Sequence, residues 1–196
     1  MIGYGADVTT ASPDVLVIGA GVCGLSAAIA LLDAGLTVTV YAADPPHRTT
    51  SATAGALWGP HLVGSDDRIG PWAAATLRWL RELVAAPAAG VAEIAGLVAS
   101  TTAEPEPPAF TRGASPAAGC DLAELPPGFA TGWRYSAPVV DMPAYLDFLL
   151  TRLLAAGGHL ELGPRFRGLA EAAHLSAAPV IVNCAGIGAR HLVPDA

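Results

Sequence analysis

Val15–Ile18 is an unbroken apolar run rich in β-branched residues, the pattern of a central parallel strand covered on both faces. Three closely spaced glycines follow. The helix-forming stretch Cys23–Ala34 comes next and ends before Gly35, a suitable residue just past a helix C-terminus. Thr37–Tyr41 is β-branched again. Strand, glycine turn, helix and strand between Asp14 and Tyr41 predict a βαβ unit.

The polar stretch from Ala42 to Leu57 predicts a loop. Pro71–Val84 has helical periodicity, with Trp72, Leu80 and Leu83 expected on one packed face. Val91–Ser100 fits a helix nearly as well as a strand. Prolines and alanines between Ala103 and Gly128 predict an irregular connection. Gly132–Val140 has strand character. Asp141 offers a helix cap with Pro143 in the first turn, and "AYLDFLLTRLLAAGG" predicts a strong helix closed by glycine. His159–Leu162 and Val180–Asn183 complete the expected strands, and no internal repeat is visible.

Composition narrows the function. The net charge of −7 disfavours nucleic acid and anionic membranes as partners, since both require concentrated positive charge. All ten basic residues are Arg, so a P-loop lysine, a Schiff-base lysine and a Ser-x-x-Lys nucleophile are excluded from these residues. The richness in Ala, Gly and Pro suggests a GC-rich bacterial source. Cys23, Cys120 and Cys184 are widely spaced, which favours a reducing, cytoplasmic setting. "VLVIGAGVCGLSAAIALL" has the length of a membrane span, but its glycine cluster divides strand-type from helix-type residues.

Gly19-Ala20-Gly21-Val22-Cys23-Gly24 is a GxGxxG motif placed between a strand and a helix, as dinucleotide binding requires. Gly19 permits the tight turn, Gly21 lets a pyrophosphate approach the backbone, and Gly24 lets the helix pack against the sheet. The helix N-terminus adds N–H donors and partial positive charge. The bland alternatives are a structural turn that binds nothing and, for Cys23, a small packing residue. An acid near the end of the second strand is expected to accept the ribose hydroxyls. Ala42 or Ala43 occupies the usual position. Asp44, twenty residues after Gly24, is the nearest acid and has a cap on the next turn as its alternative role.

Four segments in this order, "VLVIGAGVCGLSAAIALLDAGLTVTVYA", "HRTTSATAGALWGPHL", "GWRYSAPVVDMPAYLDFLLTRLLAAGG" and "VIVNCAGIG", resemble the D-amino-acid oxidases. The resemblance spans about residues 14–190. It implies FAD as cofactor and a glutathione-reductase-like fold. It also implies oxidation of D-amino acids by hydride transfer to flavin, with O2 reduced to hydrogen peroxide. On matching positions, Gly19, Gly21, Val22, Cys23 and Gly24 would hold the pyrophosphate, and Ala43 and Asp44 would lie at the ribose. Arg48, Thr49, Thr50 and Ser51 would contact phosphates and the ribityl chain. Gly55, Ala56 and Leu57 would run along the isoalloxazine ring, with Leu57 and Gly59 near substrate. The Phe166 backbone would meet the adenine edge, and Cys184, Ala185 and Gly186 would form the third approach to the cofactor. Ala185 stands where Thr is common.

The fold class expected is therefore α/β: a Rossmann-like FAD-binding domain plus part of an interleaved α+β substrate domain. Residues 1–13 read as an N-terminal extension, 14–60 as the first part of the FAD-binding domain, 61–140 as partial substrate domain and irregular connection, and 141–196 as the return to the FAD-binding domain. The resemblance places the substrate-carboxylate Arg and the active-site tyrosines in a second half not represented here, so no catalytic residue is assigned. A complementary C-terminal half or second chain is the expected partner, with D-amino acid and O2 as reactants. An NAD(P)-binding Rossmann protein and a non-catalytic flavoprotein module are the competing readings. The five histidines show no ligand spacing, so a metal is not expected. The acidic pairs Asp66-Asp67 and Glu104/Glu106 read as solvated loop charges.

Overall fold

The apolar run Val15–Ile18 forms β1, and Val22–Asp33 forms α1. Val38–Ala42 follows as β2, so the βαβ unit is present as the pattern predicts. The computed structural model describes residues 12–60, 67–104, 106–111 and 113–193; His61 and Asp66 lie outside them. The chain forms two compact units. The first comprises residues up to Thr53 together with those from Leu146 onward, and the second comprises Ala54–Tyr145.

In the first unit, His159–Leu162 is β7 and Val180–Asn183 is β8, with the shorter helices α4 (Leu169–Ser176) and α5 (Ala189–Leu192) around them. The sheet order is β7-β2-β1-β8, every pairing parallel. Central placement explains why β1 is apolar throughout, since all four of its residues are buried. Helix α1 stops where Gly35 takes φ +86°, a conformation that suits glycine. Two residues further on, the Thr37 backbone N–H (2.8 Å) and hydroxyl (2.7 Å) donate to the carboxylate of Asp14, which fastens the start of β1 to the start of β2.

The second unit contains β3 (Ala56–Leu57), α2 (Ile69–Leu83), β4 (Val91–Ser100), β5 (Ala118–Gly119) and β6 (Thr131–Val140). Its sheet runs β3-β6-β4, antiparallel, with β5 also pairing to β6. The ambiguous stretch Val91–Ser100 is resolved by β6, which pairs with all ten of its residues from Val91↔Val140 to Ser100↔Thr131. Helix α2 buries Leu77, Leu80 and Leu83, but not Trp72. That residue lies in the first turn, ahead of the buried stripe, and the Arg68 guanidinium stacks over its exposed ring at 5.4 Å from the centroid. Arg81 bonds Glu93 at 3.1 Å, and the Trp79 indole donates to the Tyr145 hydroxyl at 3.0 Å.

The strong helix of the sequence is α3 (Met142–Ala155), and the unit boundary falls within it. Asp141 caps it: its Oδ1 accepts from the Ala144 N–H at 3.4 Å. The part of α3 in the first unit buries Leu146, Leu149 and Leu153, and Arg152 reaches Asp33 of α1 at 3.0 Å. No helix among the described residues is long and apolar enough to cross a membrane. "VLVIGAGVCGLSAAIALL" is divided between β1 and α1.

Candidate functional site

The C-terminal ends of the parallel strands converge on the glycine turn. Gly19 follows β1 with φ +110°, a region that side chains disfavour, and its N–H donates to Tyr41 O at 2.8 Å. A Cβ on Gly19 would overlap the Cys184 carbonyl oxygen, and one on Gly24 would overlap the Gly19 carbonyl oxygen. These two glycines therefore allow three pieces of backbone to meet: the end of β1, the first turn of α1 and the end of β8. Cys184 N–H donates to Ile18 O at 2.9 Å and locks that register.

Helix α1 begins at Gly21 with no capping side chain of its own. One of its first-turn N–H groups, that of Val22, donates instead to Ser51 Oγ at 3.1 Å. Ser51 belongs to a short turn, Thr50–Thr53, preceded by another at Pro46–Arg48. The Thr49 hydroxyl donates to Pro46 O at 2.7 Å and holds this loop in place. A Cβ at Gly21 would come within 3.0 Å of Ser51 Oγ, so the threonine-rich loop sits directly over the glycine turn.

A cavity of about 750 Å³ opens along this convergence. Its wall includes Gly19, Gly21 and Cys23 from the turn, Ala43 and Asp44 beyond β2, and Arg48, Thr49, Thr50 and Ser51. Phe166, Cys184, Ala185 and Gly186 complete the set that the sequence had singled out and that this cavity gathers. Val22 and Gly24 stand behind the wall, one bonded to Ser51 and the other packed under Gly19. Gly55, Ala56, Leu57 and Gly59 belong to the second unit. There Ala56 and Leu57 pair with Val140 and Val139 of β6, and the room left by Gly59 is filled by Phe110, whose carbonyl would lie 3.1 Å from an added Cβ.

Charge on the wall opposes charge on the chain. Among the described residues, Arg48, Arg165 and Arg167 line the cavity against a single carboxylate, Asp44, in a protein of net charge −7. Asp44 Oδ2 accepts from Arg165 Nη2 at 3.1 Å. The Cys184 thiol is pushed up by burial and, to a lesser degree, by neighbouring Cys23, so it stays protonated and is no ready nucleophile. The Tyr41 hydroxyl is likewise raised, first by burial and then by Glu161 and Glu171, and remains a donor to Pro164 O at 3.1 Å. The ring of Phe166 stacks on Tyr41 with centroids 4.3 Å apart and is buried in the core.

Arg165, Arg167, Asn183 and His191 also line the cavity and were not singled out from sequence. Arg165 and Arg167 flank Phe166, an Arg-Phe-Arg signal that charge alone could have exposed. Asn183 ends β8 and its Oδ1 accepts from Ala185 N–H at 3.2 Å, a local turn that asparagine at a strand end announces. Among the described residues, no group of three or more His, Cys, Asp or Glu side chains is placed to hold a metal ion.

The family model described as "FAD dependent oxidoreductase" matches residues 14–196. A D-amino-acid oxidase of Rubrobacter xylanophilus is 44% identical over 180 residues, covering 92% of this chain and 54% of the relative. A D-amino-acid oxidase of Streptomyces coelicolor is 38% identical over 183 residues, covering 93% and 55%. Among solved structures, glycine oxidase from Geobacillus kaustophilus superposes with a TM-score of 0.69 at 19% identity, covering 92% of this chain and 57% of that one. L-Amino acid deaminase from Proteus myxofaciens gives 0.62 at 16% identity, covering 86% and 42%. At such identities these structures speak for the fold alone. The chain spans about half the length of the curated relatives it matches.

Proposed function

The chain belongs to the FAD dependent oxidoreductase family, and from that premise we propose that its cavity holds FAD for the oxidative deamination of D-amino acids. The observation that carries this reading is the meeting of the glycine turn, the Thr49–Ser51 loop, the Arg165–Arg167 segment and the end of β8 around one basic-walled cavity. The residues fit the cofactor. Gly21, lacking a side chain, lets the Ser51 hydroxyl close on the turn while its own backbone stays on the cavity wall, and Arg48 and Arg167 offer charge to balance a pyrophosphate there. A volume of about 750 Å³ is of the size that encloses such ligands.

Gly19, Gly21, Val22, Cys23 and Gly24 present the phosphate-facing backbone in this proposal, and Ser51 steadies it. Arg48, Thr49 and Thr50 face the phosphates and ribityl chain, while Ala43 and Asp44 lie at the adenosine ribose. The backbone at Phe166 takes the adenine edge, and Cys184, Ala185 and Gly186 close the far wall. Gly55, Ala56 and Leu57 are assigned to the flavin ring, with Leu57 and Gly59 toward substrate. Held there, the cofactor would supply a hydride acceptor for the substrate Cα that O2 reoxidises with release of hydrogen peroxide, leaving an imino acid to hydrolyse to a keto acid and ammonia.

Nothing in this chain is assigned to recognise the substrate carboxylate. We place that role on polypeptide corresponding to the other half of the relatives. Exposed apolar side chains beyond α3 and outside the cavity support an associated state: Leu175 is 60% exposed and Val180 50%. The test is to purify the chain with such a complement and add amino acids anaerobically. Flavin absorbance bleached by D-amino acids is expected. Bleaching by glycine or L-amino acids alone would move the substrate assignment, and an assembly devoid of flavin would overturn the proposal.

A further inference from the structure

The segment that follows β7 is sewn to the end of β2 at several points. Gly163 N–H donates to Ala42 O at 3.1 Å, the Tyr41 hydroxyl donates to Pro164 O, and Phe166 stacks on Tyr41. The outermost stitch is the ion pair between Arg165 and Asp44. Both of these residues line the cavity. Arg165 is 77% exposed and Asp44 38%, and such a pair adds little to folding stability. Among the described residues Asp44 is engaged through Oδ2, which leaves Oδ1 of this cavity-lining residue as an acceptor. Asp44 also lies two residues beyond the end of β2, so the strand itself does not fix its carboxylate.

Resting on the reading of the cavity as an FAD site, we propose that Arg165 is a positioning residue for cofactor recognition. It holds the Asp44 carboxylate so that Oδ1 accepts a hydroxyl of the adenosine ribose. The charge partner thereby compensates for an acid set beyond the strand end, where the backbone would otherwise orient it. Arg165 acts through Asp44, so its effect vanishes when the carboxylate is gone.

The experiment titrates the chain, co-purified with its complement, with FAD by fluorescence and, separately, with ADP by calorimetry, in wild type, Asp44→Asn, Arg165→Ala, Arg165→Lys and the Asn/Ala double variant. Asp44→Asn is expected to weaken both ligands by about tenfold, as loss of a charged acceptor does. Arg165→Ala should weaken both about three- to fivefold, a part of what the acceptor itself is worth, and Arg165→Lys should recover part of the loss. The double variant should match Asp44→Asn, and all melting temperatures should stay put. Wild-type affinity in Arg165→Ala would overturn the inference, as would losses that multiply in the double variant or an effect on FAD without one on ADP. A wild type that takes ADP but not FAD would overturn the FAD reading and leave the Asp44–Arg165 assignment standing. Failure to bind either ligand would overturn both.

Discussion

The two sheets of this protein use glycine in opposite ways. In the parallel sheet, β1 is at most 6% exposed along its length, and the chain beyond it must pass between an adjacent strand end and a helix. Gly24 and Gly19 are contact residues there, because atoms added to them would meet backbone. In the antiparallel sheet, β4 leaves Ile94 48% and Leu97 39% exposed, and a Cβ on Gly96 would meet only the Tyr135 ring, at an ordinary 3.5 Å. Where backbones converge to build a cavity, the missing side chain is the structural element. Along β4 the hydrogen bonds of β6 hold the position and a methyl at Gly96 finds room. Gly132 across the ladder is packed chiefly by the flexible ends of Leu125 and Leu97 and not by backbone converging on a cavity.

Substitution to alanine breaks or sharpens this contrast. Gly24→Ala should have the largest effect, because its Cβ meets the Gly19 carbonyl and neither can yield without moving α1 or β1. Destabilisation of about 3 kcal/mol, typical of a severe overpacking, is expected in urea unfolding, together with loss of FAD binding. Gly163→Ala should come next at about 1–2 kcal/mol, since its Cβ would displace the Tyr41 hydroxyl end and with it the bond to Pro164. Gly96→Ala should change stability by less than about 0.5 kcal/mol. If Gly96→Ala proved as damaging as Gly24→Ala, the contrast between the two sheets would be void.

How much of this was legible in the sequence follows the same division. Val15–Ile18 and the Val22–Asp33 helix could be placed because a strand buried on both faces writes an unbroken apolar run, and because Gly35 marks the helix end. Val91–Ser100 could not be placed, because its identity as a strand comes from β6, some thirty residues further on. Trp72 misled because helical spacing says which face a residue shares and not where along the helix the covering ends. Within the cavity, the glycines and the Thr49–Ser51 loop carried local signals. Arg165 carried one only as part of the Arg-Phe-Arg triplet, and its pairing could not be read, since its partner Asp44 is 121 residues away. The bond from Val22 N–H to Ser51 Oγ, across 29 residues, was hidden for the same reason.

Acid should reveal a smaller difference between the units. The Asp14 carboxylate is held below its ordinary value, chiefly by the Thr37 backbone N–H and then by the Thr37 hydroxyl. Glu124 in the second unit is lowered chiefly by its hydrogen bond from Arg134, at 2.7 Å. A depressed carboxylate stabilises the fold above its unfolded pKa, and that contribution is lost as pH falls through the folded one. Both contributions are therefore full above roughly pH 4.5, the ordinary carboxylate range, and fade as pH falls below it. Added salt should flatten the Glu124 contribution, compared as wild type against Glu124→Gln, and spare that of Asp14, compared against Asp14→Asn. Equal salt sensitivity would show that both are simple ion-atmosphere effects.

The central claim is that the convergence of the glycine turn, the Thr49–Ser51 loop and the end of β8 creates an FAD site. Fluorescence titration of the chain, assembled with its complement, with FAD, alongside Gly21→Val, tests it most directly. Saturable binding by wild type, with Gly21→Val reduced by at least about a hundredfold because its side chain fills the path to the α1 N-terminus, is the predicted result. Equal affinity in the two proteins, or saturation by NAD(P) and not by FAD, would contradict it.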